Sequence, residues 1–312
     1  MNKLTPAQTT WIERHISIDY VSDIAGDAGF RRYYRIHSAK QSYVFVDAAL
    51  EPLIFQAYIQ QTRHLSAYKL PIPRVIAVED QASWALLEDF GHTLLIDHPQ
   101  RERFYPEAMD HLITLHACPI QSYGRFKVLD AVLIDEEFQG FRQWYLRDVR
   151  KRTLNLQEQR ALNSCLEGIK KVVLSQPFIL MHRDYHSRNL LCIGDKLGII
   201  DFQDAMAGPI TYDLASLLRD CYLPWPKDFS ENMALYYKRN SPVLTQVSDA
   251  AFLRWFDFTS IQRHLKALFT FARKALRDHQ PMYLDHVPRT WAYIREVSQP
   301  YPELDFLRTL EK

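Results

Sequence analysis

The sequence has almost no net charge, since 38 Lys plus Arg against 37 Asp plus Glu leave a formal +1. Such a chain sets up no global field for nucleic acid or anionic lipid, so nucleic-acid binding is not expected and charge-based recognition has to be local. No apolar run approaches the 18 or so residues needed to cross a bilayer. The opening Met1-Asn2-Lys3-Leu4-Thr5-Pro6 is polar, which predicts neither a membrane span nor an export signal. Cys118, Cys165, Cys192 and Cys221 form none of the close pairs that mark structural zinc or redox sites. They read as reduced thiols of a cytoplasmic protein. Internal repeats and low-complexity segments are absent too. What remains is 312 residues, 47% of them hydrophobic, enough for two packed lobes rather than one small module.

Thr5-Pro6-Ala7-Gln8 predicts a helix start, because a Thr N-cap, a Pro at the first helical position and a Gln three residues after the cap deal with the free N–H groups. That helix should reach about His15. Strand-like pieces follow, Phe30 to Ile36 and Tyr43 to Val46, broken by Gly26-Asp27-Ala28-Gly29 and by the polar stretch His37 to Ser42. Glu51-Pro52 opens a helix to about Tyr68, and Pro71-Ile72-Pro73 resets the chain into two apolar stretches, Val75 to Val78 and Trp84 to Leu87. After Gly91 helical periodicity dominates, except for Leu190 to Ile193 and Leu197 to Ile200, with Gly194-Asp195-Lys196 marking a hairpin between them. The order is α+β in type. Residues 1–91 read as a mainly antiparallel sheet lobe with one crossing helix and a hinge near 87–91. Residues 92–312 read as a mainly helical lobe carrying the loops that could do chemistry.

The strongest signal is Met181-His182-Arg183-Asp184-Tyr185-His186-Ser187-Arg188-Asn189, followed after the hairpin by Ile199-Ile200-Asp201-Phe202. Phosphoryl transfer needs a carboxylate to orient the acceptor hydroxyl and take its proton, plus oxygen ligands for magnesium on the nucleotide phosphates. The H-x-D-x-x-x-x-N pattern offers Asp184 as base and Asn189 as ligand, and Asp201 supplies a charged ligand. A protein kinase would need a long segment ending in A-P-E after that Asp. Here Gly208-Pro209-Ile210-Thr211-Tyr212-Asp213-Leu214-Ala215 arrives almost at once, so a small-molecule acceptor is expected. Asp213 either caps the helix it opens or reaches back to brace the Asp184 loop, beside His182.

Upstream, Glu88-Asp89-Phe90-Gly91 contains the letters D-F-G but precedes the base by about a hundred residues, so its order is wrong for a metal loop. It reads instead as a connector whose backbone at Glu88 and Phe90, with Leu87 packed nearby, could meet an adenine. The turn around Gly26, Ala28 and Gly29, with Arg31 and Arg32 after it, could cover phosphates or be a plain hairpin turn with a solvated basic strand. Tyr43-Val44-Phe45-Val46-Asp47 lacks the strand Lys that reaches the phosphates in most kinases, and the crossing helix has Gln56 and Gln60 in mid-course with no Glu. Either Arg31 or Arg32 compensates, or the protein is a catalytically silent nucleotide-binding module. Phe258, Ile261, Leu265, Leu268 and Ala272 recur at helical spacing as a buried face. Thr259, Arg263, Lys266, Thr270 and Arg273 form another stripe, read as a solvated face in the plainer view or as a surface for an acceptor anion. His264 reads as a hydrogen-bonded structural histidine. Gln203, Asp204, Arg219 and Asp220 are candidates for acceptor recognition, with a local salt bridge as their rival reading.

At these residues the sequence resembles the aminoglycoside phosphotransferase and choline kinase superfamily, from about Tyr20 to Tyr301. Within it the chain is similar to the cell-wall-recycling kinases that phosphorylate the anomeric hydroxyl of N-acetylmuramate and N-acetylglucosamine. The matching segments include Asp27-Ala28-Gly29-Phe30-Arg31-Arg32-Tyr33-Tyr34-Arg35, Val46-Asp47-Ala48, His182-Arg183-Asp184-Tyr185, Asp201-Phe202-Gln203-Asp204-Ala205, Thr211-Tyr212-Asp213 and Gln262-Arg263-His264-Leu265-Lys266. The resemblance implies a two-lobed protein-kinase-like fold, ATP and Mg2+ as cofactors, a small-molecule sugar as acceptor, and the roles given above for Asp184, Asn189 and Asp201. It also implies that an Asp in place of the strand Lys is normal for the subgroup. An aminoglycoside, choline or another small alcohol remains the alternative acceptor.

Overall fold

The first helix begins where its capping pattern predicts. In the computed structural model, which describes residues 3–24, 31–39, 41–120 and 127–311, α1 (Pro6–Glu13) starts at Thr5. Gln8 N donates to the Thr5 hydroxyl and Thr5 N donates to the Gln8 side chain, a reciprocal box that satisfies two end groups at once. Five antiparallel strands follow in the order β1-β2-β3-β5-β4: β1 (Tyr20–Ile24), β2 (Arg32–Ser38), β3 (Gln41–Asp47), β4 (Val75–Glu79) and β5 (Trp84–Glu88). Between β3 and β4 runs α2 (Pro52–Leu65), extended by a 3-10 turn at Ser66–Tyr68.

Alternation along the strands gives this sheet two apolar faces. On one, Ile36, Phe45 and Leu86 pack against Trp11 and Ile12 of α1. On the other, Val46, Ala85 and Leu87 pack against Phe55 and Ile59 of α2. The β2–β3 register sets Arg32 opposite Asp47, Tyr33 opposite Val46 and Tyr34 opposite Phe45. Asp47 therefore shares a face with Phe45, and there it accepts a 2.9 Å hydrogen bond from Gln8 Nε2 of α1.

The chain divides into two compact units, Met1–Phe104 with Arg188–Asp204, and Tyr105–Ser187 with Ala205–Lys312. The first unit thus includes the hairpin of β7 (Leu190–Ile193) and β8 (Lys196–Ile199), turned by Gly194 at φ +60°. The hairpin is tied to the rest of that unit by Cys192 N donating to Thr93 O at 2.8 Å and Ile199 N donating to Pro71 O at 2.7 Å.

The second unit is mainly helical: α3 (Tyr105–His116), α4 (Ala131–Gly140), a π-helical segment over Phe141–Val149, α5 (Leu156–Leu174), α6 (Tyr212–Leu218), α7 (Lys227–Asn240), α8 (Asp249–Leu276), α9 (Val287–Ser298) and α10 (Asp305–Thr309). Phe258, Ile261, Leu265, Leu268 and Ala272 of α8 are fully buried, as their spacing predicts. Two short strands embedded here, β6 (Phe178–Met181) and β9 (Met206–Pro209), pair antiparallel and were not expected from the sequence. They frame the stretch that holds the motif residues. Among the described residues no helix is long and apolar enough to cross a membrane.

Candidate active site

In the helical unit, β6 ends at Met181 and the chain turns at once, with Arg183 at φ +78°. The turn is held from α6. Asp213, fully buried in the first turn of that helix, accepts from His182 N at 2.6 Å and Arg183 N at 2.9 Å, and its Oδ2 lies 3.3 Å from His116 Nε2. His116 is oriented in turn by a 2.6 Å bond between Nδ1 and the Tyr237 hydroxyl. Of the two readings of Asp213, bracing the Asp184 loop is what its contacts describe. A second buried carboxylate pins the other end: Asp220 Oδ2 accepts from Ser187 N at 3.0 Å and Ser187 Oγ at 2.5 Å. Two backbone donors satisfied by one buried carboxylate fix a loop far better than packing alone. Arg219 is buried against Asp257 at 2.6 Å and Ser260 at 3.0 Å, its guanidinium 4.1 Å from the Phe256 ring centroid. The acceptor-recognition candidates Arg219 and Asp220 thus lie in buried polar networks, and the ion pair of Arg219 runs to Asp257 rather than to its neighbour.

Asp184 itself is half-buried. Burial pushes its carboxyl upward, but the positive charges of Lys266, Arg263 and Arg183, with His186 when it is protonated, outweigh that and hold it well below the usual carboxylate range. Here the structure corrects the plainer reading of the basic stripe on α8. Thr259 is fully buried, bonded to Gln176 and Thr211. Arg263 Nη1 donates to Arg183 O at 3.0 Å with its guanidinium 4.5 Å from the Tyr212 ring centroid, and Lys266 Nζ donates to the Tyr212 hydroxyl at 3.2 Å. These two residues present charge to Asp184 rather than to bulk solvent. His264 is the structural histidine expected: Nε2 meets Arg219 O at 2.9 Å, the ring stacks on Tyr293, and burial pushes its pKa down to about 3.

In the sheet unit, Asn189 and Asp201 stand at the open ends of β7 and β8, where Ile200 N donates to Asn189 O at 3.1 Å. Asn189 Nδ2 donates to Asp201 Oδ2 at 3.3 Å and Gln203 Nε2 to Asp201 Oδ1 at 2.6 Å. Asp201 sits at φ +67°, a left-handed conformation that costs a non-glycine residue energy and recurs at functional positions. The next residue, Phe202, stacks on Tyr58 of α2 with centroids 5.1 Å apart. With its amide turned to satisfy both groups, Gln61 donates to Phe202 O at 2.7 Å and Gln203 O at 3.2 Å. Asp204 is exposed. Among the described residues there is no group of three or more His, Cys, Asp or Glu side chains able to cage an ion. One carboxylate and one amide oxygen instead suit a small hard cation that takes its remaining ligands from phosphates and water.

Gly26, Ala28 and Gly29 lie outside the described residues. Arg32 is exposed, whereas Arg31 is largely covered and its Nε lies 3.4 Å from Glu51 Oε2. At the connector, Leu87 is buried in the α2-side core, Glu88 N donates to Arg74 O and the Glu88 carboxylate pairs with Arg74 at 2.9 Å. The misplaced D-F-G letters are structural. Asp89 takes Arg35 Nε at 2.6 Å, Ser42 Oγ at 2.6 Å and Gly91 N at 2.9 Å. Burial raises its pKa, and these bonds together with the Arg35 charge lower it further than burial lifts it. Phe90 lies over Gly198 so closely that a Cβ there would sit 2.3 Å from the ring. Sequence reasoning missed Arg35–Asp89 and Glu51. The signal for the first was available, because Arg35 falls on the same strand face as Tyr33.

The phosphotransferase enzyme family model matches residues 21–249 of the chain. Among curated proteins, the chain is similar to the N-acetylmuramate/N-acetylglucosamine kinase of Neisseria meningitidis serogroup B, 30% identical over 95% of this chain and 90% of that protein. The protein of the same name from Pseudomonas aeruginosa is 31% identical over 90% of this chain and 84% of its own length. Among solved structures, the gentamicin complex of APH(2'')-IIa aligns at TM-score 0.65 and 18% identity, covering 93% of this chain and 97% of that one. ADP-bound aminoglycoside phosphotransferase APH(2'')-Ib aligns at 0.63 and 17%, covering 92% and 97%. The structural likeness establishes the two-part, protein-kinase-like α+β fold, and the family match, spanning most of the sequence, shows that the chain belongs to the phosphotransferase enzyme family.

Proposed function

We propose that this chain is an ATP- and Mg2+-dependent kinase that phosphorylates the anomeric hydroxyl of N-acetylmuramate, N-acetylglucosamine or both. The observation that carries the reading is the Asp184 loop, a carboxylate kept ionised by flanking cations and aimed by two backbone donors locked onto Asp213. The names of the curated relatives support the acceptor.

Asp184 orients the C1 hydroxyl and accepts its proton. A carboxylate this acidic is a weak base, so the proton moves late, after bond formation to phosphorus has drained charge from the oxygen. Positioning and electrostatics then carry most of the rate. Asn189 and Asp201 hold Mg2+, whose chemistry when bound is to neutralise phosphate charge. Lys266 and Arg263 give the neighbourhood of Asp184 a positive character, which favours neutral or anionic acceptors over polycationic ones.

The test is ADP release and phosphorus NMR with N-acetylmuramate, N-acetylglucosamine, its methyl glycoside, choline and kanamycin. Transfer is expected to one or both free sugars and to no other acceptor, giving a sugar 1-phosphate, because the methyl glycoside has no anomeric hydroxyl. Asp184→Asn should lose turnover by about 10²-fold or more while still binding ATP. Transfer to the methyl glycoside, or undiminished turnover in Asp184→Asn, rejects the assignment.

A further inference from the structure

The two faces of the sheet decide which residue stands in for the missing strand lysine. Asp47, the only charged side chain of β3, lies on the α1 face, where it is bonded to Gln8. Val44 and Val46, on the α2 face, are apolar. β3 therefore brings no charge to the side on which α2, Phe202 and Asp201 lie. Arg32 shares the parity of Tyr34 and Ile36, which pack on the α1 face, and is exposed. Arg31 shares the parity of Tyr33, which packs on the α2 face, and its guanidinium stands 6.0 Å from the Tyr33 ring centroid.

Arg31 is also anchored. Its side chain is 15% exposed and that of Glu51, the residue that opens α2, is 17% exposed, with Nε and Oε2 3.4 Å apart. Neither atom has a hydrogen-bond partner although both are buried from water, so the pair is close but incompletely satisfied. A guanidinium carries five donors, and one loose contact to a carboxylate leaves capacity for a multiply charged anion. Its surroundings reach the metal loop. Tyr58 of α2, packed on the same face of the sheet as Tyr33, stacks on Phe202, the neighbour of Asp201.

We infer that Arg31, held by Glu51, is the cation that binds the nucleotide phosphates in this chain. An arginine from the start of β2 and a glutamate from the start of α2 thus replace the usual lysine of the third strand and glutamate of the helix middle. Glu51 is a positioning residue, acting through Arg31. The inference rests on the proposed use of ATP, and the experiment keeps the two apart by comparing Mg·ATP with adenosine, which lacks phosphates.

Binding of both ligands to the full-length protein is measured by calorimetry for wild type, Arg31→Met, Arg31→Lys, Glu51→Gln and Arg32→Met, with KM and kcat for ATP in parallel. Arg31→Met should weaken Mg·ATP by tenfold or more and leave adenosine affinity in place. Arg31→Lys should recover part of the loss. Glu51→Gln should raise KM for ATP severalfold, again without loss of adenosine binding. Wild-type-like ATP affinity in Arg31→Met overturns the inference, as does a loss that falls on Arg32→Met instead. Equal loss of ATP and adenosine in Arg31→Met and Arg31→Lys overturns it too, by making Arg31 part of the scaffold. If wild type binds no ATP, the proposed function fails.

Discussion

At Asp184 two opposing effects meet and one wins. Burial alone would raise the carboxyl, but the cations, Lys266 first among them, bring it below the ordinary value of about 3.9. A depressed pKa means that the ionised form persists as pH falls and is lost only in strong acid. Protonation of Asp184 therefore leaves kcat unaffected down to about pH 5. Removing one opposite charge at close range shifts a carboxylate by roughly one unit or more. In Lys266→Met, Asp184 should titrate higher, so the acid limb of kcat at saturating substrates, followed as far down as the protein stays folded, should lie about one unit or more above that of wild type. An acid side indistinguishable from wild type would show that Lys266 is not what keeps Asp184 charged. Arg263 is the weaker test, because its bond to Arg183 O means that its loss also loosens the loop.

At the scale of elements, the β7–β8 hairpin is fixed by one missing side chain. A Cβ on Gly198 would lie 2.3 Å and 2.6 Å from Phe90 ring atoms and 2.8 Å from Ile193 Cδ1. At those distances either the Phe90 ring or the hairpin backbone has to move to admit the methyl group. Gly198→Ala should cost about 1–3 kcal/mol, read as a lower urea midpoint at unchanged slope. Phe90→Ala in the same chain should recover part of that loss, since the two changes share one contact. Elements of this kind were legible where the signal was local. The capping box of α1, the strands around Phe45 and Leu86, and the buried stripe of α8 all follow from residue type and period. The pair β6 and β9 was not legible: each is four residues long and buried nearly throughout, so neither alternates, and Gly208-Pro209 reads as a turn. At the candidate site, the residue types and offsets of Asp184, Asn189 and Asp201 stood out because they are close in sequence. Of their supports, Asp213, Asp220 and Gln203 follow closely in the chain, whereas His116 and Tyr237 come from distant segments. Contacts at that range leave no periodic trace.

At the scale of the whole chain, the shift from strand to helix patterning near Gly91 suggests one cut between two lobes, yet the units of the structure exchange chain three times, after Phe104, Ser187 and Asp204. The returning segment is part of the sheet unit's own core. It supplies the bonds from Cys192 N to Thr93 O and from Ile199 N to Pro71 O, and the Phe202 ring against Tyr58. Gly198 lies directly beneath Phe90. The exposed Arg103–Asp195 pair adds little, since ion pairs open to water contribute about 0–1 kcal/mol. A fragment of residues 1–104 therefore exposes the Phe90 and Tyr58 rings and leaves Thr93 and Pro71 carbonyls without those donors. The unit is small enough that such losses consume its margin. The expected outcome is that 1–104 alone unfolds without a cooperative transition, while 1–104 joined through a flexible linker to 188–204 melts cooperatively. Cooperative melting of 1–104 alone, with the same midpoint as the joined fragment, would show that the hairpin is only an attachment. Melting restored by the joined fragment but abolished when its Phe202 is changed to Ala would trace the dependence to the ring stacked on α2.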